Sequence, residues 1–188
     1  MRIGVLALQG GFAPHLAALR AIGMEPVEVR RARDLDGCRG IVLPGGESPA
    51  QLRLLERDPE LTSELVARIE DGLPLLATCA GLILAAREVR NPSQRSFGWI
   101  DVRVRRNAWG RQVHSAEAMA DDGETPLVLI RAPRIESVGA RASIELTLKG
   151  EPVLVREGPR FGATFHPELT PDRRLYERVL APVVGAVC

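Results

Sequence analysis

The sequence predicts an α/β fold on a mainly parallel central sheet, with an antiparallel extension in its second half. Two observations carry that reading. Up to Val89, short apolar runs alternate with stretches of helical period, the β-α-β-α order that places helices on the faces of a parallel sheet. Beyond Val89 the pattern changes to short strands separated by turn residues, with a helix only at the close.

Taken in order, "RIGVLAL" is a buried-strand run. "FAPHLAALRAIG" has Leu16, Leu19 and Ile22 on one helical face, with Gly23 placed to end the helix. "PVEVR" alternates like a strand, and "GIVLPGG" is an apolar strand ending at Gly45-Gly46. "SPAQLRLLE" starts as a helix should, with Ser48 as N-cap, Pro49 in the first helical position and Gln51 closing a capping box. "DPELTSELVARIEDG" repeats the signal, with Asp58 as cap, Pro59 next and Gly72 past the end. "LPLLAT" returns to strand and "AGLILAAREV" to helix. "NPSQRSFG" is a loop, and "WIDVRVRR", "QVHSAEAM", "LVLIRA", "IELTLKG" and "PVLVREG" are short strands. "RFGATF" is the last strand, before "HPEL". From Thr170 and Pro171 the chain reads as a closing helix that Pro182 breaks or kinks. With no repeat, low-complexity tract or linker, one domain over residues 1–188 is expected.

Composition narrows the function. A chain of 188 residues with 45% hydrophobic and 26% charged side chains is large enough to bury a core without disulfides. A net charge of +1 and only 4 Phe, 2 Trp and 1 Tyr speak against a nucleic-acid partner, which needs a basic face or stacking platforms. No segment reads as a secretion signal or has the length of a membrane span. Cys38, Cys79 and Cys188 are odd in number and widely spaced, which suits thiols in a reducing cytoplasm and not a disulfide framework or a zinc site. A small molecule or another protein is the expected partner.

Three features point to chemistry. Cys79, in "LLATCAGLIL", falls where a strand turns into a helix, at the carboxyl edge of the predicted sheet where ligands gather. Such a turn pushes a nucleophile out of the backbone and meets it with a helix N-terminus, whose dipole favours thiolate over thiol. Ala77, Ala80 and Gly81 supply the small neighbours a crowded turn requires. Alone, Cys79 would pass for a buried small hydrophobe. The second feature is "FHPE": His166 and Glu168, two residues apart after an apolar strand, leave an extended chain on the same side. An imidazole beside a thiol acts as base, and a carboxylate behind it fixes tautomer and charge. The third is "LPGGES", whose paired glycines before a helix expose backbone N–H groups able to hold an oxyanion. Each alone fits an ordinary turn; together they converge on one edge of one sheet.

These residues, with "RNAWGRQV", "IRAP" and "FHPELT" in this order, resemble the class I (triad) glutamine amidotransferases. The motif set is most similar to the glutaminase subunits of glutamine-dependent pyridoxal 5'-phosphate synthases, and the similarity runs from Arg2 to the closing helix. The resemblance implies a flavodoxin-like three-layer α/β sandwich and a Cys79-His166-Glu168 triad that hydrolyses L-glutamine through a γ-glutamyl thioester. It implies an oxyanion hole from the backbone of Gly46 and Ala80. It implies glutamine contacts at Gly46, Glu47, Ser48, Arg106, Ile130 and Arg131. Ammonia would pass to a separate lyase subunit forming a dodecameric core, with glutaminase subunits docked outside and activated by docking. Neither metal nor organic cofactor is implied. The chain departs from the family pattern at Ala77, where many members have glycine at the strained elbow, at Pro49, and at His114, whose position is often acidic and could face the partner.

Overall fold

The computed structural model describes residues 1–106 and 115–180. The chain alternates β1 (Arg2–Leu6), α1 (Phe12–Ala21), β2 (Glu25–Val29), β3 (Ile41–Leu43), α2 (Ser48–Glu56), α3 (Pro59–Glu70), β4 (Leu75–Thr78) and α4 (Ala80–Ala85). It continues through β5 (Ala86–Arg90), β6 (Ile100–Arg105), β7 (Ser115–Met119), β8 (Pro126–Ile130), β9 (Arg134–Val138), β10 (Ser143–Leu148), β11 (Glu151–Glu157) and β12 (Arg160–Ala163), and ends in α5 (Arg174–Leu180).

Seven strands form the central sheet in the order β10-β11-β12-β4-β3-β1-β2. From β2 to β12 the neighbours are parallel, and β11 and β10 add the antiparallel extension. The pleat sends alternate residues to opposite faces, so the sheet carries two cores. Ile3, Val5, Val42 and Leu76 pack against Leu16 and Leu19 of α1 and Tyr176, Val179 and Leu180 of α5. Leu6, Ile41, Leu43, Leu75 and Ala77 pack against α2, α3 and α4 through Leu52, Leu55, Leu61, Leu65, Ile69 and Leu82. The result is three layers. The small β5-β6-β9 sheet joins the second core, and the β7-β8 hairpin the first.

Several expectations are corrected. Ser48 is not the N-cap of α2. Glu47 occupies that position without a side-chain cap, and the hydroxyl of Ser48 donates to Gln94 Oε1 at 3.0 Å. Gln51 closes no capping box: its amide donates to the carbonyls of Gln9 (3.0 Å) and Pro44 (3.2 Å). Asp58, by contrast, caps α3 as expected, accepting from the Leu61 N–H at 3.0 Å. The helix after Cys79 stops at Ala85, because residues 86–90 pair with β6. β9 was not expected as a strand. The closing helix begins at Arg174, later than Thr170, and Pro182 lies outside the described residues, as do His114 and Cys188. Cys38 is a buried free thiol whose sulfur faces the Asp34 carbonyl at 3.5 Å, and burial pushes its pKa up.

Candidate active site

Four adjacent parallel strands end on the same edge of the sheet, and each delivers part of one site. β1 leads to Gln9 and Gly10, β3 to Gly45-Gly46-Glu47, β4 to Cys79 and β12 to His166 and Glu168. Register aligns them: Ala77 of β4 lies beside Leu43 of β3, and Thr78 beside Ala163 of β12. A hydrogen bond from the Cys79 N–H to the Ala163 carbonyl (2.8 Å) ties the start of the turn to the strand that leads to His166.

Cys79 has φ 48° and ψ −102°, a left-handed backbone that costs a non-glycine residue on the order of 1–3 kcal/mol. The strain falls on the expected nucleophile itself. Ala77 sits inside β4 with extended pairing on both sides, so its methyl is no obstacle. Room for the turn comes from Gly81, where a Cβ would lie 2.2 Å from the Leu43 carbonyl oxygen. The Cys79 sulfur points to the cavity, 3.9 Å from the carbonyl oxygen of Ile130.

His166 is anchored through its N–H to the Val128 carbonyl of β8 (2.8 Å), and its Nδ1 meets Glu168 Oε1 at 2.7 Å. The His166 ring and the Cys79 side chain both close on Gly45. A Cβ built there would stand 2.5 Å from His166 Cε1 and 3.4 Å from Cys79 Cβ. Burial disfavours a charged His166, yet the Cys79 sulfur and the Glu168 carboxylate outweigh it and raise the pKa to about 10. Burial likewise works against the Glu168 charge, but the His166 hydrogen bond and the neighbouring imidazoles hold its pKa below the ordinary carboxylate value. At neutral pH the pair is imidazolium and carboxylate. His166 Nε2 is buried and makes no conventional hydrogen bond, and the Cys79 sulfur near the ring is one of the groups that raise its pKa.

The glycine loop is braced from behind. The Gly11 N–H donates to the Gly45 carbonyl at 3.0 Å, and the Glu47 N–H to Gln9 Oε1 at 2.8 Å. A side chain at Gly10 would come within 2.0 Å of Gly45 oxygen, and one at Gly46 within 2.6 Å of Gln9 Oε1. Trans peptide geometry therefore turns the Gly46 N–H to the opposite face of the loop from Gly11. Ala80, the first residue of α4, is buried next to Cys79 and is not among the residues that line the cavity.

These walls enclose a cavity of about 360 Å³, of a size suited to a small molecule. The expected triad all lines it, and so do Gly46, Glu47, Ser48, Arg106, Ile130 and Arg131. At the mouth Arg131 Nη1 pairs with Glu47 Oε1 at 2.9 Å, both side chains more than half exposed. Arg131 itself has φ 46°, so the chain turns sharply after β8 to present its guanidinium.

A model of the SNO glutamine amidotransferase family matches residues 5–184. The chain belongs to this family. It is 44% identical over 188 residues to the pyridoxal 5'-phosphate synthase subunit PdxT of Thermotoga maritima, covering 97% of this chain and 100% of that one. To the PdxT of Koribacter versatilis it is 46% identical over 187 residues, covering 97% and 96%. A solved structure described as a glutamine amidotransferase superposes with a TM-score of 0.89 at 39% identity, covering 98% of this chain and 99% of that one. A glutamine amidotransferase of Thermotoga maritima shares the fold at TM-score 0.58 and 16% identity, covering 98% and 94%.

Sequence reasoning missed several residues of this amidotransferase's site. Gln9 and Gln51 clamp the glycine loop through contacts that join separate elements, and no local pattern marks them. His15 is completely buried beside Glu168, with Nε2 3.4 Å from Oε2. Its signal was present: one of three histidines, it lies four residues before Leu19 and seven before Ile22, on the apolar face of α1.

Proposed function

We propose that this glutamine amidotransferase hydrolyses L-glutamine to glutamate and ammonia with Cys79 as nucleophile, His166 as acid and base, and Glu168 as its orienting partner. The observation that carries the reading is Cys79, on a strained strand-to-helix turn, closing on Gly45 together with a buried His166–Glu168 pair at 2.7 Å.

The sulfur, its proton having passed to His166, attacks the side-chain amide carbon of glutamine. The C–S bond forms as the carbonyl becomes an oxyanion. The backbone N–H groups of Gly46 and Ala80 receive that charge, each worth about 3 kcal/mol in a transition state of this kind. Collapse breaks the C–N bond, and His166 gives its proton to the departing ammonia. Water then attacks the γ-glutamyl thioester, His166 takes the water proton, and the C–S bond breaks to free glutamate and the thiol. Glu168 holds the ring in the Nδ1–H tautomer throughout and stabilises its charge.

Binding falls to the mouth. Arg106 and Arg131 suit the substrate α-carboxylate, while the Glu47 carboxylate and the backbone at Ile130 and Arg131 suit its α-ammonium. Gly46 and Ser48 complete the wall. The relatives named as PdxT subunits support a pyridoxal 5'-phosphate synthase as the destination of the ammonia. In that reading the whole chain is one glutaminase domain in the cytoplasm. It docks outside a dodecameric lyase core and turns over glutamine when docked.

The experiment is glutamine hydrolysis with and without the lyase partner. Activity should appear in the mixture and vanish in Cys79→Ala. Turnover retained by that variant refutes the assignment.

A further inference from the structure

We propose that His15 and Tyr176 are positioning residues for Glu168, forming a buried hydrogen-bonded chain on the side of the carboxylate opposite His166. This rests on the glutaminase reading of the site. His15 and Tyr176 are both wholly inaccessible, and the Glu168 side chain is only 2% exposed. Oε1 of Glu168 meets His166, but its buried Oε2 makes no conventional hydrogen bond. A desolvated carboxylate oxygen in that state is costly unless a donor faces it. The group that faces it is Nε2 of His15, at 3.4 Å.

The other nitrogen of that ring decides what Nε2 carries. His15 Nδ1 lies 2.6 Å from the Tyr176 hydroxyl, and Thr78 Oγ1 lies 3.2 Å from Nε2. If Tyr176 donates to Nδ1, the proton of a neutral ring sits on Nε2, with Thr78 Oγ1 (3.2 Å) and Glu168 Oε2 (3.4 Å) both in its reach. The reverse tautomer would turn a lone pair toward the carboxylate. In this tautomer the chain runs from the Tyr176 O–H to His15 Nδ1, and the His15 Nε2–H lies between Thr78 Oγ1 and Glu168 Oε2. The ionisable groups facing His15 are Tyr176 on α5 and Glu168 and His166 after β12; β4 presents only the Thr78 hydroxyl. Burial lowers the His15 pKa to about 4, against the pull of Glu168, so the ring is neutral at working pH and does not compete with His166 for the charge. A distance of 3.4 Å is longer than an optimal N–H···O bond, and catalytic hydrogen bonds of this kind commonly shorten when substrate binds. What His15 supplies is a second point of attachment. With Oε1 bonded to His166 and Oε2 facing His15 Nε2, rotation of the carboxylate plane is opposed from both sides.

Three variants test this: His15→Leu, which removes both nitrogens, His15→Gln, whose amide can reach the place of Nε2, and Tyr176→Phe, which removes the hydroxyl. Two NMR readouts on the full chain do not depend on turnover. Nitrogen shifts of His15 should report the Nε2–H tautomer in the parent protein. The carboxyl carbon of Glu168 should titrate at higher pH in His15→Leu than in the parent, because a donor to the charged form has been lost while burial is kept. Glutaminase assays with the lyase partner should show kcat about 10- to 100-fold lower in His15→Leu, with KM for glutamine changed less than about threefold. Partial recovery is expected in His15→Gln, and a smaller loss in Tyr176→Phe. An Nδ1–H tautomer, or a Glu168 titration unmoved by His15→Leu, overturns the proposal even if glutamine is hydrolysed. A parent protein that turns over no glutamine with its partner overturns the glutaminase reading, while the NMR results still decide the role of His15. Should His15→Leu fail to fold, the tautomer measurement and the two milder variants carry the decision.

Discussion

The floor and the mouth of the cavity are built by different physics. At the mouth, Arg131 and Glu47 form an ion pair with side chains 62% and 52% exposed, held in high dielectric and screened by salt. At the floor, Glu168, His15 and Tyr176 are out of water, and each of these side chains is tied to a partner from a different element. The floor is expensive to assemble and holds its geometry; the mouth is cheap and can re-pair with a substrate. Machinery that must meet a transition state sits where nothing has to reorganise, and the groups that admit substrate sit where exchange with water is easy.

Substitutions should reproduce that contrast. The largest effect belongs to the floor: Glu168→Gln keeps the shape but removes the charge that fixes the His166 tautomer. Glutaminase kcat is expected to fall about 10⁴-fold, as when a triad carboxylate becomes an amide elsewhere. Gly45→Ala would push a methyl to 2.5 Å from His166 Cε1, and the displaced ring should cost about 10²-fold in kcat/KM, visible in the same assay.

A smaller effect concerns stability and pH. His15 is held neutral, with its pKa lowered from 6.5 to about 4. Unfolding frees it to bind a proton, so its contribution is complete above pH 6.5 and is lost as pH falls toward 4. Urea unfolding should show a loss on the order of 3 kcal/mol across that window, largely absent from His15→Leu. His166 runs the other way: with its pKa raised to about 10, its contribution is complete below pH 6.5 and fades as pH climbs toward 10. Equal slopes in parent and His15→Leu below pH 6.5 would remove the floor's electrostatic character. The smallest effect is expected at the mouth. Arg131→Gln should change stability by less than about 1 kcal/mol and act on KM for glutamine more than on kcat. A kcat loss as large as that of Gly45→Ala would erase the distinction between the two regions.

How much of this was legible in the sequence depended on whether the cause was local. Two helices with the same opening make the point. Asp58 before Pro59 caps α3 as its spacing predicts, because its two oxygens divide the work: Oδ1 accepts from the Leu61 N–H at 3.0 Å while Oδ2 takes Arg31 at 3.1 Å. Ser48 before Pro49 has the same signal, but its hydroxyl is drawn to Gln94 and Gln51 is drawn to the glycine loop. The site overrode the cap. Likewise "AREV" has no helix breaker, and only its pairing with β6 turns it into strand. The proposed triad was readable because Cys79 and the His166–Glu168 pair each follow an apolar strand run and parallel order brings those ends together, although Glu168 sits in a 3-10 turn and not in the extended chain its spacing suggests. Gln9, Gln51 and Tyr176 were not, because their roles arise only once α1, α2 and α5 are folded against the sheet. The family motifs supplied Arg106, Ile130 and Arg131, which spacing alone would have left among the surface residues.

The most direct test of the central claim is to trap the acyl-enzyme. The chain, mixed with its lyase partner and glutamine labelled with ¹⁴C in its carbon skeleton, is quenched in acid within the first turnovers and digested. The account predicts a γ-glutamyl label on the peptide carrying Cys79, absent from Cys79→Ala and discharged by hydroxylamine. Ammonia released in the same samples with the Cys79 peptide unlabelled, or with label on another residue, would contradict it.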